Sequence, residues 1–300
     1  MSWRIIYIEN SHKVSLYLGN IKIEDGEENY IIPISDINTI IFNNYKMYLT
    51  TQLLCKLSQE NVCMIICEKN GLPEVMLNPL NGNYATFRNH ELQIKLSDIH
   101  KGILWQKIIF EKINNQILVL QKNKKSSSVI NKLKDFRNEV LLADETNREG
   151  LAAKMYFAEL FGTCFTREQK SEEPINVSLN YGYSVVRAML ARSVVAKGLI
   201  PTLGVFHRNP YNHFNFVDDL MEVYRPLIDE WVYLNMRESF FTREKRLELV
   251  KYMSKKIIID DKNYNIMKSM DIYVDSIVNY FKIGEIETLK IPNIEFLKDE

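Results

Sequence analysis

The sequence predicts an α+β protein, with a small N-terminal β-rich domain followed by a larger, mostly α-helical one. Three observations carry this. Short runs rich in Ile, Tyr and Val, split by Asn, Gly and Asp, fill the first 80 residues. The turn-forming cluster "NPLNGN" (78–83) interrupts them. From Tyr84 onward apolar residues recur at threes and fours. The expected domains are therefore 1–80 and 81–300.

Taken in order, "WRIIYIE", "KVSLYLG", "NIKIE" and "NYIIPI" read as strands, and "INTIIF" as a continuous apolar one. "TTQLLCKLSQEN" places Leu53, Leu54 and Leu57 at helical spacing, and "VCMIICE" and "EVMLN" return to strand. The long stretch "HELQIKLSDIHKGILWQKIIFEKINNQILVLQK" is helical over several turns, while "NKKSSSVINKLK" is basic and Ser-rich and reads as exposed. "TNREGLAAKMYFAELFG", "INVSLNYGYSVVRAMLARSVVAKG" and "DDLMEVYRPLIDEWVYLN" read as three further helices, the second ending on Gly198 as a C-cap.

Charge limits the function classes. The 300 residues carry 38 basic and 38 acidic side chains, so a nucleic-acid partner could not be held by bulk charge and would need local patches or other subunits. No run of about 18 apolar residues suggests a membrane span. "MSWRIIYIENSHKV" does not read as a secretion signal. Cys55, Cys63, Cys67 and Cys164 lie in apolar stretches, as reduced cytoplasmic cysteines do. The Cys63/Cys67 pair is not followed by the second pair that a zinc site needs.

Polar density peaks in "GVFHRNPYNHFNFVDDLMEVYRP" (204–226). His207 ends an apolar run just before Pro210, where an ordered element gives way to a loop. A buried, hydrogen-bonded histidine is the plainer reading. Asp218, Asp219 and Glu222 exceed what the first turn of a helix needs for its dipole, and their spacing sets two carboxylates on one face. Such a pair repels unless a cation joins it. Glu149 has the capping-box spacing with Thr146, yet Gly150 and the small side chains after it leave room for a phosphate or a partner helix. A histidine with two or three carboxylates suits Mg2+ or Mn2+. Zinc is open to the same donors, although no H-E-x-x-H helix is present. His213, inside "PYNHFNF", reads as a turn-bonding residue.

"NREGLAAKMYF" and "LNYGYSVVRAMLARSVVAKGLIPTLGVFHRNPYNHFNFVDDLMEVYRPLID", with the β-then-helical layout, resemble the CRISPR-associated integrase of the spacer-adaptation module, in the branch found beside a single-chain effector nuclease (type II). The resemblance spans essentially the whole chain and is densest over 147–229. It makes the helical part the catalytic domain and the β-rich part a dimerisation domain. It implies a metal-binding set of Glu149, His207 and Glu222, with Asp219 as an additional acid. Many relatives carry aspartate where Glu222 stands, and "MEVYRP" departs from the expected "MEPFRP" at Val223 and Tyr224, outside the ligand set. The implied reaction joins the 3′ hydroxyl of captured DNA to a phosphodiester of the CRISPR repeat. Nuclease action on branched DNA goes with it.

The implied partners are double-stranded DNA, a second copy of the chain, a small ferredoxin-like adaptation protein and, in type II systems, the effector nuclease and an accessory adaptation protein. Candidate DNA contacts are Tyr183, Arg187, Arg208, Arg225, Arg237, Arg243 and Arg246, with Arg192, Lys245 and Tyr181 beside them. Each is equally readable as a solvated charge or a core ring. A DNA-binding scaffold without chemistry and a metal-dependent phosphoester hydrolase remain as alternatives.

Overall fold

The computed structural model describes residues 4–294 except 12, 27, 70, 72, 78–82 and 237–239. The expected boundary at 78–83 falls largely outside these residues, as does Arg237. The N-terminal part contains β1 (Arg4–Ile8), β2 (Lys13–Tyr17), β3 (Asn20–Asp25), β4 (Glu28–Pro33), β5 (Ile37–Phe42), β6 (Tyr48–Leu49), α1 (Thr51–Gln59), β7 (Cys63–Cys67) and β8 (Pro73–Leu77). They form two four-stranded sheets, ordered β4-β3-β2-β6 and β1-β5-β7-β8. In the second, β1, β5 and β7 run parallel and β8 antiparallel. The β2–β3 hairpin closes on two residues, Leu18 and Gly19, both at positive φ, as the right-handed twist of paired strands favours.

β5 explains how the two parts are joined. All six of its residues are buried, and alternate side chains must point to opposite faces. Ile40 and Phe42 enter a core shared with the first sheet and α1, whereas Ile41 enters the helical core. β7 divides likewise, with Met64 on one side and Cys63, Ile65 and Cys67 on the other. Cys63 Sγ lies 3.6 Å from the Ala188 carbonyl of a long helix. Cys55 and Cys164 are exposed, contrary to expectation; all four cysteines are free.

The helical part comprises α2 (Thr86–Lys95), α3 (Asp98–Lys122), α4 (Ser127–Asn138), α5 (Arg148–Phe161), α6 (Pro174–Ala196), α7 (Asn215–Met221), α8 (Arg225–Asn235) and α9 (Arg243–Tyr252), then a β9 (Lys256–Ile259) and β10 (Lys262–Asn265) hairpin and α10 (Ile266–Ile283). The stretch expected as one long helix divides into α2 and α3 because Ser97 caps α3, its hydroxyl accepting from the His100 amide. α4 corrects the reading of 123–134 as an exposed segment: Ile130, Leu133 and Phe136 bury one face of it. The β9–β10 hairpin was not expected. Its signal is Asp260-Asp261, both at positive φ, as a tight turn requires. Gly198 follows α6 at φ 66°, as the C-cap reading expects, and a Cβ there would stand 2.8 Å from Thr86 Cα. No helix among the described residues is long and apolar enough to cross a membrane.

Candidate active site

The apolar run leading to His207 is not a regular element. Residues 199–214 form a loop between α6 and α7, and buried Asp219 organises it. One carboxylate oxygen of Asp219 accepts the amides of Val205 (2.7 Å) and Phe206 (3.0 Å). The other accepts the His207 amide (3.1 Å) and lies 2.6 Å from His207 Nδ1. Gly204 permits this closure, since a Cβ there would meet the His207 carbonyl at 2.3 Å. Asn209, Asn212 and Asn215 make the remaining turn bonds, while His213 is exposed. The loop is pinned by these hydrogen bonds and presents His207 to the adjoining cavity.

His207 is fixed in orientation. The Phe206 ring stacks on Trp105 of α3 at 4.2 Å, and His207 meets Trp105 edge-on at 5.7 Å. The hydrogen bond to Asp219 holds the His207 pKa above its ordinary value, outweighing burial. In the neutral ring, Nδ1–H donated to this carboxylate leaves the lone pair on Nε2, which is the arrangement metal-binding histidines use. Asp219 is therefore an orienting group beneath His207.

Glu149 does not cap its helix. Asn147, in a left-handed conformation, caps α5 by accepting from the Gly150 amide, and Asp144 accepts the amides of Arg148 and Glu149. The space left by Gly150 is filled by the Asn147 side chain, 2.8 Å from an added Cβ, so it is not open to a phosphate. Released from capping, the Glu149 carboxylate reaches Lys112 Nζ of α3 at 2.5 Å.

Glu222 lies in a 3-10 turn between α7 and α8, not on the first turn of one helix as expected. Pro226, at the start of α8, supplies no amide to continue the α-helical ladder. Glu222 Oε2 lies 2.5 Å from the same Lys112 Nζ, and Oε1 lies 2.9 Å from Arg225 Nε. Burial alone would raise the Glu222 pKa, yet Arg225 and Lys112 hold it below the ordinary range. Burial alone would lower the Lys112 pKa, yet Glu222 and Glu149 hold it above.

Glu149, His207, Glu222, Lys112 and Arg225 line one cavity of about 640 Å3 that continues along α5 past Lys154 and Phe157 to Arg167. Among the described residues, no three His, Cys, Asp or Glu side chains stand ready to enclose an ion; the Lys112 ammonium lies between the two glutamates. The donors nonetheless suit a hard divalent ion: an imidazole Nε2 and two carboxylates, one of whose oxygens, Glu222 Oε2, lacks a properly directed hydrogen bond. Lys112 was not anticipated. A lysine within "IIFEKINNQ" is at most an irregularity in an apolar helix face.

The candidate DNA contacts separate. Arg208 is well exposed beside the site, 3.7 Å from Asp98. Arg187 is paired with Asp218, which Asn212 also contacts. Arg192 is buried between the Asn61 carbonyl and Asp271, Arg225 holds Glu222, and Arg243 pairs with Glu9. Tyr181 and Tyr183 are buried. The Tyr183 hydroxyl donates to Asp229, and the guanidiniums of Arg225 and Arg167 lie over its ring at 4.8 and 5.3 Å.

The family profile described as "CRISPR associated protein Cas1" matches residues 6–259. A "CRISPR-associated endonuclease Cas1" of Neisseria meningitidis serogroup C (strain 8013) is 32% identical over 303 residues, covering 100% of this chain and 99% of the relative. Among solved structures, a chain of a "Cas6-RT-Cas1--Cas2 complex" superposes with a TM-score of 0.74 at 14% identity, over 98% of this chain and 36% of that one. A "Casposase bound to integration product" superposes with a TM-score of 0.68 at 19% identity, over 99% and 96%.

Proposed function

The chain belongs to the CRISPR-associated Cas1 family, and from that premise we propose that it is a divalent-metal-dependent DNA integrase of spacer adaptation, with associated endonuclease activity. It would join the 3′ hydroxyl of a short captured DNA to a phosphodiester of the CRISPR repeat. The observation that supports this reading most is the junction of Glu149, His207 and Glu222 at one cavity, from three separate elements. Glu149, Glu222 and His207 Nε2 would hold Mg2+ or Mn2+. When bound, such an ion polarises the phosphodiester and stabilises charge on its oxygens.

The chain's own residues do the rest. Asp219 fixes the His207 tautomer and ring position through Nδ1. Arg225 orients Glu222 and brings a permanent positive charge to the cavity wall. Lys154 on α5 and Arg167 in the loop beyond it extend that charge along the cavity, where a strand's phosphates would lie. The similarity to a solved Cas1-DNA complex and to a Cas1--Cas2 complex supports DNA and a small Cas2-like protein as partners. A second copy of the chain, paired through the β-rich part, would complete the assembly. With zero net charge and most candidate arginines already paired, DNA would be held by patches spread over several subunits.

The test is strand transfer into a supercoiled plasmid carrying a CRISPR repeat, with and without the small partner and Mn2+. Joined product that needs Mn2+ and is lost in Glu149→Gln supports the reading. Product that persists in a chelator, or in Glu149→Gln, contradicts it.

A further inference from the structure

Lys112 is the one cation in direct contact with both proposed carboxylate ligands among the described residues. It projects from the middle of α3, a 25-residue helix, and its side chain is 7% exposed. Neighbouring Asn115 ties this part of α3 to the Val223 and Pro292 carbonyls, so the base of the lysine stem is fixed. The tip reaches Glu149 Oε1 and Glu222 Oε2, each at 2.5 Å. These oxygens come from different elements. An ammonium at 2.5 Å from each sits close to where an ion at about 2.0–2.6 Å from each would sit. Both cannot occupy that position.

We infer that Lys112 is a built-in counter-cation of the site: it holds Glu149 and Glu222 together in the ion-free protein and must leave their oxygens when a divalent ion takes them. The inference rests on the reading of Glu149, His207 and Glu222 as ligands. The residue type suits the task. Lysine is a compact point charge on a flexible four-carbon stem, whereas the planar arginine fork would grip one carboxylate and block release. The adjoining cavity, which Lys112 lines together with Gln116, gives the ammonium somewhere to go. There it would face the space in which an anionic phosphodiester has to lie. The charge that binds the two glutamates before the ion arrives would then remain at the site, redirected towards substrate.

The experiment titrates the full chain with Mn2+, following loss of the free-ion electron paramagnetic resonance signal and recording melting with and without ion. Lys112→Met, Lys112→Gln and Lys112→Arg are compared with wild type, and His207→Ala reports whether the ion uses this site. Lys112→Met and Lys112→Gln should bind Mn2+ at least ~10-fold more tightly, the effect of removing a cation that competes for both carboxylates. They should melt lower than wild type without ion and gain more from it. Lys112→Arg, which keeps the charge, should show no gain in affinity. Should the methionine variant fail to fold, the glutamine variant, which retains polar donors, carries the comparison. Equal or weaker Mn2+ binding in the neutral variants would overturn the inference alone, provided wild-type binding still requires His207. Binding that ignores His207 would instead overturn the ligand assignment on which it rests.

Discussion

Replacing Asp219 by alanine separates an orienting role from a metal-ligand role. The side chain is fully buried and accepts from three backbone amides and one ring nitrogen. Alanine would strand all four donors. At about 1–3 kcal/mol for each buried unsatisfied group, less what water recovers at half-exposed Phe206 and His207, the cost is about 3–6 kcal/mol. For a chain of this size, with about 2 °C of melting shift per kcal/mol, that is a fall of about 6–12 °C. Asp219→Asn is the sharper probe. One amide oxygen must serve the Val205 and Phe206 amides, which turns the NH2 group towards His207. Nδ1 then has to accept, the proton moves to Nε2, and the ligand lone pair is lost. This variant should melt closer to wild type than the alanine variant yet bind Mn2+ far more weakly. Scanning calorimetry and Mn2+ titration on both variants decide it. If Asp219→Ala loses Mn2+ binding while melting within about 2 °C of wild type, Asp219 is a ligand and the loop-pinning argument is wrong.

His207→Ala should abolish strand transfer, by at least ~100-fold, while lowering the melting temperature only slightly and sparing DNA binding, because it removes a metal ligand while Asp219 keeps its three backbone amides; equal loss of folding and activity would restore the plainer reading of a structural histidine. Asp229 is buried beside Tyr183, and its burial pushes its pKa up to about 7, whereas an unfolded aspartate titrates near about 3.9. Between these values the folded chain holds a proton that the unfolded chain lacks, so this group's contribution to stability falls as pH rises through the window. The melting advantage of wild type over Asp229→Asn should therefore shrink from pH 5 to pH 8, and a constant difference would refute the assignment. DNA affinity should fall more steeply with salt for the assembly with its small partner than for the lone chain, since each neutralised phosphate adds about 0.9 to the logarithmic slope. Identical slopes in a fluorescence titration would mean that one subunit carries the whole DNA footprint.

The strands were legible because composition and period agree over short stretches. In β5 and β7 the apolar runs are continuous because both faces are covered. His207 and Glu222 were legible as a polar cluster in apolar surroundings, and Glu149 through the family resemblance. The roles of their neighbours were not legible. Thr146 and Glu149 have capping-box spacing, but a left-handed Asn147 and the nearby Asp144 take over the cap. Asp218 and Asp219 are adjacent in sequence yet serve opposite ends of the local structure: one pairs with Arg187 on α6, the other collects the amides of the His207 loop. Tyr183 belongs to the interior because Asp229, 46 positions away, accepts its hydroxyl. Lys112 lies 37 positions from Glu149. Its role depends on how α3, α5 and the α7–α8 turn meet, and pattern in any one of them cannot show that.

The central claim is that Glu149, His207 and Glu222 hold one divalent ion. The most direct measurement is the anomalous scattering of Mn2+ in crystals of the chain grown with the ion. The account predicts a single strong peak bounded by Glu149, Glu222 and His207 Nε2, with Asp219 still on Nδ1 and the Lys112 ammonium withdrawn from the two carboxylates. A peak elsewhere, or a Mn2+ ion bound with His207 turned away and Lys112 still between the glutamates, would contradict it.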